Sequence, residues 1–268
     1  MNQAKLTVMD FSGVYDFEGS PFDGEEGKIF LKTLPGTDGY CSDEAAEQIR
    51  SSIADHDISG IRFIDSGNYH YVTKFWLEKA AEPLTLIVFD HHTDMQPSAL
   101  LPLLSCGNWI LEVPEEIPVW LIGPPEADAE SLGSIETGPG STAGGPEGRE
   151  TGAGSAAGTA GAGRRLHIIP EKDANALKCP DIFPENVYIS IDKDVLRRED
   201  IDTDWDQGSM TADCLFRWLA LIGEHCRIIG ADICGEPALN DTHGKTADAF
   251  QKSGDINRKL LAVLAKYV

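Results

Sequence analysis

Leu84-Thr-Leu-Ile-Val-Phe-Asp-His-His-Thr-Asp94 is the stretch on which the fold is read. Its first six residues form a continuous apolar run rich in β-branched side chains. Such runs belong to strands buried on both faces of a parallel sheet. The run breaks at Asp90 into acids and histidines, and Val187-Tyr-Ile-Ser-Ile-Asp-Lys-Asp194 repeats the pattern. A third strand-like segment, Gly60-Ile-Arg-Phe-Ile64, leads into Ser66-Gly-Asn-Tyr-His70. The residues that carry chemistry therefore fall at the carboxyl ends of strands, where open α/β sheets place their ligand sites. Alternation along an extended chain turns Asp90, His92 and Asp94 to one side, and likewise Asp192 and Asp194. By the same parity His91 faces away, as a structural residue.

Four carboxylates converging without a counter-charge would repel one another and take up protons. Divalent cations remove that cost. Four carboxylates and two imidazoles with no cysteine among them suit manganese, ahead of iron, cobalt or zinc. Six ligands exceed what one catalytic ion takes while keeping an open position, so two Mn2+ per chain with a shared carboxylate are expected. Water held between two such ions ionises near neutral pH, which makes hydrolysis the expected chemistry.

These residues carry a resemblance. Asp90-His-His-Thr-Asp94 resembles the Asp-x-His-x-Asp signature of the arginase and agmatinase (ureohydrolase) family, and Ser190-Ile-Asp-Lys-Asp194 resembles its Ser-x-Asp-x-Asp. His70 is similar to the family's first histidine, and Gln207-Gly-Ser-Met-Thr211 stands where the family has Gly-Gly-x-Thr before a helix. The likeness spans roughly residues 60–240. It implies one manganese on His70, Asp90, Asp94 and Asp192, and the other on Asp90, His92, Asp192 and Asp194. It also implies a small-molecule substrate with a guanidino or amidine C–N bond, and a homo-oligomer of the kind common among relatives.

Three departures bear on substrate handling. Many members have Gly-Asn-Leu-His, with a proton-shuttle histidine, where this chain has Gly107-Asn-Trp-Ile110. Leu196 is followed by Arg197 and Arg198 instead of Asp-Pro. The family's Asp-Ile-x-Glu, whose glutamate holds the guanidinium, becomes Asp232-Ile-Cys-Gly235 with Glu236 one place late. A slip of one residue turns a side chain to the other face unless a bulge at Gly235 restores it. Asp94, His243 and Glu236 are the candidate catalytic groups, and Glu236, Asn108 and Arg197 the candidate substrate contacts. Arg197 offers a bidentate fork for a substrate carboxylate. Cys234 precedes the Gly-Glu turn and is expected to line the pocket.

The chain has 268 residues, 41% of them apolar, enough for one sizeable core in a single domain. Its 44 acids against 22 Lys and Arg give a net charge of −22. That balance argues against nucleic acid or an anionic membrane as partner. The six cysteines lack C-x-x-C spacing and the amino terminus carries no signal peptide, so reduced thiols in the cytoplasm are expected. No apolar run reaches membrane-spanning length.

Strands are expected near 6–12, 118–122, 166–169 and 227–234, and helices near 43–55, 72–80, 211–225 and 255–267. Residues 124–165 concentrate Gly, Ser, Thr, Ala and Glu and read as a flexible Gly-rich insertion, a solvated linker ahead of a lid. Strands alternating with helices give a three-layer α/β/α fold around a mainly parallel sheet.

The leading expectation is thus a dimanganese hydrolase of the ureohydrolase type. Val88-Phe-Asp-His-His92 also resembles the Asp-His-His core of manganese phosphoesterases, although their early Asp-x-Asp and late Gly-Gly-Gly-His are missing. Ile110, Gly235 and the double arginine motivate a third alternative, a non-catalytic protein that binds a metal or a metabolite.

Overall fold

The computed structural model describes residues 5–17, 27–97, 103–132, 165–237, 239 and 247–268. Its strands are β1 (Leu6–Asp10), β2 (Gly27–Phe30), β3 (Tyr40–Cys41), β4 (Gly60–Phe63), β5 (Thr85–Phe89), β6 (Leu104–Ser105), β7 (Val119–Ile122), β8 (Leu166–Ile169), β9 (Asn186–Asp192) and β10 (Arg227–Cys234). The helices are α1 (Asp43–Ser52), α2 (Val72–Leu77), α3 (Glu126–Ser131), α4 (Glu171–Asn175), α5 (Ala212–His225) and α6 (Ala247–Leu264).

Eight strands form one parallel sheet in the order β2-β1-β4-β10-β9-β5-β7-β8, while β3 and β6 make a small antiparallel pair. The central strands are apolar on both faces because both faces are covered. Ile87, Phe89, Ile189 and Ile191 pack with Trp218, Leu219, Ile222 of α5 and Leu260, Leu264 of α6. Leu86, Val88 and Tyr188 pack on the other side with Ile49 of α1 and Phe75, Trp76 of α2. The result is the expected three-layer α/β/α architecture.

Several local expectations are revised. In residues 124–165, taken as flexible throughout, Glu126–Ser131 is helical as α3, although it buries no side chain; 133–164 lie outside the described residues. α6 begins at Ala247 rather than Asp255; its buried face starts with Ala249 and Phe250 but then runs through Ser253, Gly254 and Asn257, which interrupt the apolar stripe. Thr211 accepts from Cys214 N at 3.1 Å and starts α5 where the sequence indicated. The described cysteines are all unpaired, and no described helix is long and apolar enough to cross a membrane.

Candidate metal centre

Strand order brings the three motifs together. β4, β10, β9 and β5 are consecutive, so the loops after β4, β9 and β5 open at one edge. Alternation along a strand is not what aligns the acids, since β5 ends at Phe89 and β9 at Asp192. In both motifs a tight turn does so. His92 N donates to Asp90 Oδ1 at 2.6 Å, and Asp194 N donates to Asp192 Oδ1 at 3.0 Å. An aspartate binding the amide two residues on is an Asx turn, which accounts for the i, i+2 spacing in each motif. Asp94 lies in the left-handed region at φ 47°, which aspartate tolerates better than most side chains.

Three groups of donors result; Asp90 belongs to the two built of carboxylate and imidazole alone, and the third is His70, Asp192 and Cys234. In the inner group, His70 Nδ1 lies 3.2 Å from Asp90 Oδ2, 3.1 Å from Asp94 Oδ2 and 3.6 Å from Asp192 Oδ2. In the outer group, His92 Nδ1 lies 2.9 Å from Asp194 Oδ2 and 3.6 Å from Asp90 Oδ1. The inner group is buried, whereas the His92 side chain is 36% exposed at the mouth.

The surrounding hydrogen bonds prepare the inner imidazole to accept a cation. Ser190 Oγ donates to Asp232 Oδ1 at 2.7 Å, and Asp232 also accepts from Thr73 and Tyr188. With its proton committed there, Ser190 Oγ accepts from His70 Nε2 at 3.0 Å. That assignment leaves Nδ1 as the bare nitrogen, and Nδ1 is buried without a hydrogen-bond partner among the carboxylates. Trp109 packs on the His70 ring at 4.7 Å and donates its indole N–H to Asp94 Oδ2 at 2.6 Å.

Electrostatics points the same way. Burial, reinforced by Asp194 and Asp90, pushes the Asp192 carboxyl up to about 7. Burial together with Asp90 raises Asp194 to about 6. Burial opposes charge on His92, but Asp194 and Asp90 outweigh it and raise the ring to about 11. Against burial, the carboxylates raise His70 as well, so protons on the two imidazoles are the cluster's counter-charge. No Lys or Arg lines it among the described residues, and the donor set fits two divalent cations in the protons' place.

A cleft of about 210 Å3 opens on the cluster, room for a small molecule. Asp128 of α3, Trp205, Gln96, Thr93, Cys106, Gly107 and Gly67 line it together with the candidate ligands. Trp205 packs edge-on to His92 at 5.9 Å and donates to Asn68 Oδ1 at 3.0 Å. Gly67 has no room for a side chain, because a Cβ would come within 2.9 Å of Asp192 Oδ2. Asp128 and Trp205 were not foreseen. Asp128 stands inside the stretch whose composition reads as a linker, and Trp205 in a loop without periodicity.

Three of the expected substrate and catalytic residues are placed elsewhere. Glu236 is fully buried in an ion pair with Lys193 at 2.6 Å, and Ser253 and Asn257 of α6 donate to its two oxygens. No bulge turns it toward the cleft, since the register shift in β10 falls between Ile228 and Gly230, far from Gly235. Asn108 ties its own loop, accepting from Ser105 N and donating to Leu103 O. Arg197 pairs with Asp200 on the surface, so its fork is engaged away from the cleft. His243 lies outside the described residues. Ile110 is fully buried, and His91 belongs to none of the donor groups, contributing its backbone N–H to Asp194 Oδ1 at 3.1 Å. Cys234 is also fully buried, with its thiol donating to Asp192 Oδ2 at 3.2 Å below the cleft, so it does not line the wall as expected.

The sheet order, its covered faces and the acid loops at one edge define the class: an α/β/α protein of the ureohydrolase, or arginase, fold. Solved structures agree. Proclavaminate amidino hydrolase from Streptomyces clavuligerus matches with a TM-score of 0.60 at 16% identity, over 99% of this chain and 93% of its own. Trypanosoma cruzi formiminoglutamase with Mn2+ gives 0.64 at 10% identity, over 99% and 95%. Arginase from Bacillus caldovelox gives 0.58 at 12%, over 96% and 98%. In sequence, an uncharacterized protein of Thermotoga maritima is 26% identical over 237 residues, 87% of this chain and 80% of that one. No family model matches.

Proposed function

We propose that the chain is a metal-dependent hydrolase that cleaves a C–N bond of a small guanidino or related amidine compound, with two divalent cations held by His70, Asp90, His92, Asp94, Asp192 and Asp194. The observation that carries this reading is the sharing of Asp90. One of its oxygens faces His70 and the other faces His92, so it could serve both cations. When bound, such a pair lowers the pKa of water from about 15.7 toward ~7 and polarises the substrate carbon. The oxygen-rich outer group suits manganese.

The chain's own residues supply orientation and proton handling. Asp94 lines the cleft with its Oδ2 held by Trp109, and it is the proposed carrier of a proton to the leaving amine. Substrate selection is proposed to lie with Asp128 and Trp205 at the rim, a carboxylate and an aromatic face that suit a cationic tail. Among the described residues no Lys or Arg lines the cleft, which disfavours an anionic substrate. The protein is proposed to act on free small molecules in the cytoplasm.

Elemental analysis of protein prepared without chelator is expected to find two cations per chain. A panel of guanidino and amidine compounds is expected to yield one that releases urea, ammonia or an amine. Asp192→Asn is expected to lower that turnover by at least about 10²–10³-fold, the scale on which losing a principal electrostatic stabiliser acts. An Asp192→Asn protein that turns over normally, or one cation where two are required, overturns the reading. Buried Ile110 and the engaged Glu236 favour a second reading, a binding protein on the same site. That reading takes over if the metal-loaded protein hydrolyses nothing in the panel while one compound raises its melting temperature.

A further inference from the structure

We infer that Cys234 is a metal ligand: its sulfur joins His70 and Asp192 around the inner cation, so the inner position is a sulfur-containing site that favours zinc, cobalt or ferrous iron over manganese. The inference rests on the two-cation reading above and revises one of its premises, since a cysteine-free donor set was the reason to expect manganese in both positions.

The placement begins with strand register. Cys234, the last residue of β10, pairs directly with Asp192, the last residue of β9. Its Sγ lies 3.2 Å from Asp192 Oδ2, the same oxygen that lies 3.6 Å from His70 Nδ1. One donor atom from each of His70, Asp192 and Cys234 can be chosen so that all three lie within 4.8 Å of one another, the spacing that also unites the two groups of carboxylate and imidazole. Oxygen or nitrogen at about 2.1 Å and sulfur at about 2.3 Å from a common ion stand roughly 3–4 Å apart. The observed separation of Sγ and Oδ2 falls in that range.

Burial argues that these donors answer to a cation. Cys234 is fully buried and His70 is 1% exposed, yet His70 Nδ1 finds no hydrogen-bond partner in this enclosure. No second cysteine approaches Cys234, so its sulfur is not half of a disulfide. A thiol set against a carboxylate gains only a weak hydrogen bond. The same two groups around a divalent ion become a charged pair of ligands, with the thiol proton passing to solvent as the sulfur–metal bond forms. Soft thiolate selects for zinc, cobalt and iron, whereas manganese prefers oxygen donors. The two positions would then differ in kind, a mixed N/O/S inner site beside an N/O outer one.

The test uses the full chain stripped of metal and reloaded anaerobically with two equivalents of Co2+. A sulfur-to-cobalt charge-transfer band in the near ultraviolet is expected. It should persist in Cys106→Ser, whose cysteine lines the same cleft, and be lost in Cys234→Ala. Should Cys234→Ala fail to fold, Cys234→Ser, which keeps the size of the side chain, takes its place. X-ray absorption of the Zn2+-loaded wild-type protein needs no variant, and should show a sulfur neighbour at about 2.3 Å. Two bound cobalt ions with no charge-transfer band, or zinc with nitrogen and oxygen neighbours alone, overturns the Cys234 assignment and leaves the two-cation reading standing. A wild-type protein that binds neither Co2+ nor Zn2+ overturns both.

Discussion

Within three consecutive residues, Asp192, Lys193 and Asp194, the chain handles buried charge in two opposite ways. Asp192 and Asp194 face a cluster of carboxylates that no Lys or Arg lines among the described residues. Lys193 points below, where its ammonium meets Glu236 at 2.6 Å and bonds Ser253 and Asn257 of α6 at 2.8 and 2.9 Å. Every partner in the lower site comes from the chain, so charge and hydrogen bonds are matched without help. In the upper site the counter-charge is only protons on His70 and His92, which the carboxylates hold against burial. The contrast separates two meanings of a buried carboxylate: one matched internally belongs to the scaffold, and one left unmatched waits for a ligand.

Lys193→Met should have the largest effect on the scaffold side. It takes the ammonium away from a fully buried carboxylate, which costs about 3–5 kcal/mol in denaturant unfolding. Combining it with Glu236→Gln should recover most of that loss. A single variant as stable as the wild type would break the contrast, because Glu236 would then not need its partner.

Ser190→Ala should act on the other side and more weakly. It removes the acceptor that holds His70 Nε2, and with it the reason Nδ1 is bare. Affinity for the inner cation is expected to fall about 10–100-fold by metal titration, the usual cost of an orienting partner. The outer group contains no contact with Ser190, so one of two binding steps should move and the other stay.

The smallest effect is a pH dependence of the metal-stripped protein. Asp194 and Asp192 titrate near 6 and 7 in the fold, above the ordinary value of 3.8. A carboxyl whose folded pKa is raised binds its proton more tightly when folded, so its contribution is present below about 4 and lost as pH rises through 6 to 7. His92, raised to about 11, works in the same sense from 6.5 upward. The rise in melting temperature on adding cation should therefore be larger at pH 7.5 than at pH 5, at about 2–4 °C for each kcal/mol recovered. An equal rise at both values would show that protons and cations do not compete for these groups.

The central sheet was legible because double burial writes itself as continuous apolar runs, as at 84–89 and 187–191. β2 was not, since it is an edge strand with Phe30 and its neighbours largely exposed. The first turns of α6 were hidden for the opposite reason. Ser253 and Asn257 are buried to serve Lys193 and Glu236, so polar residues stand where periodicity looks for apolar ones. The candidate ligands were legible because each Asx turn fixes a short, local spacing. Cys234 pairs with Asp192 across 42 residues and Asp232 with Ser190 across the same distance, and no local pattern records such a pairing. Glu236 was misplaced in the sequence reading because nothing local shows that Lys193 takes it.

Gly235 limits how this pocket could be retooled. Its φ is +85°, and a Cβ there would stand 2.5 Å from Asp192 Oδ1 and 2.7 Å from Lys193 N. Grafting the ureohydrolase glutamate onto this position by a single codon change would therefore press on the oxygen that closes one Asx turn. A laboratory lineage seeking arginase-like specificity from this scaffold would have to shift the end of β10 first, and acquire the acid afterwards.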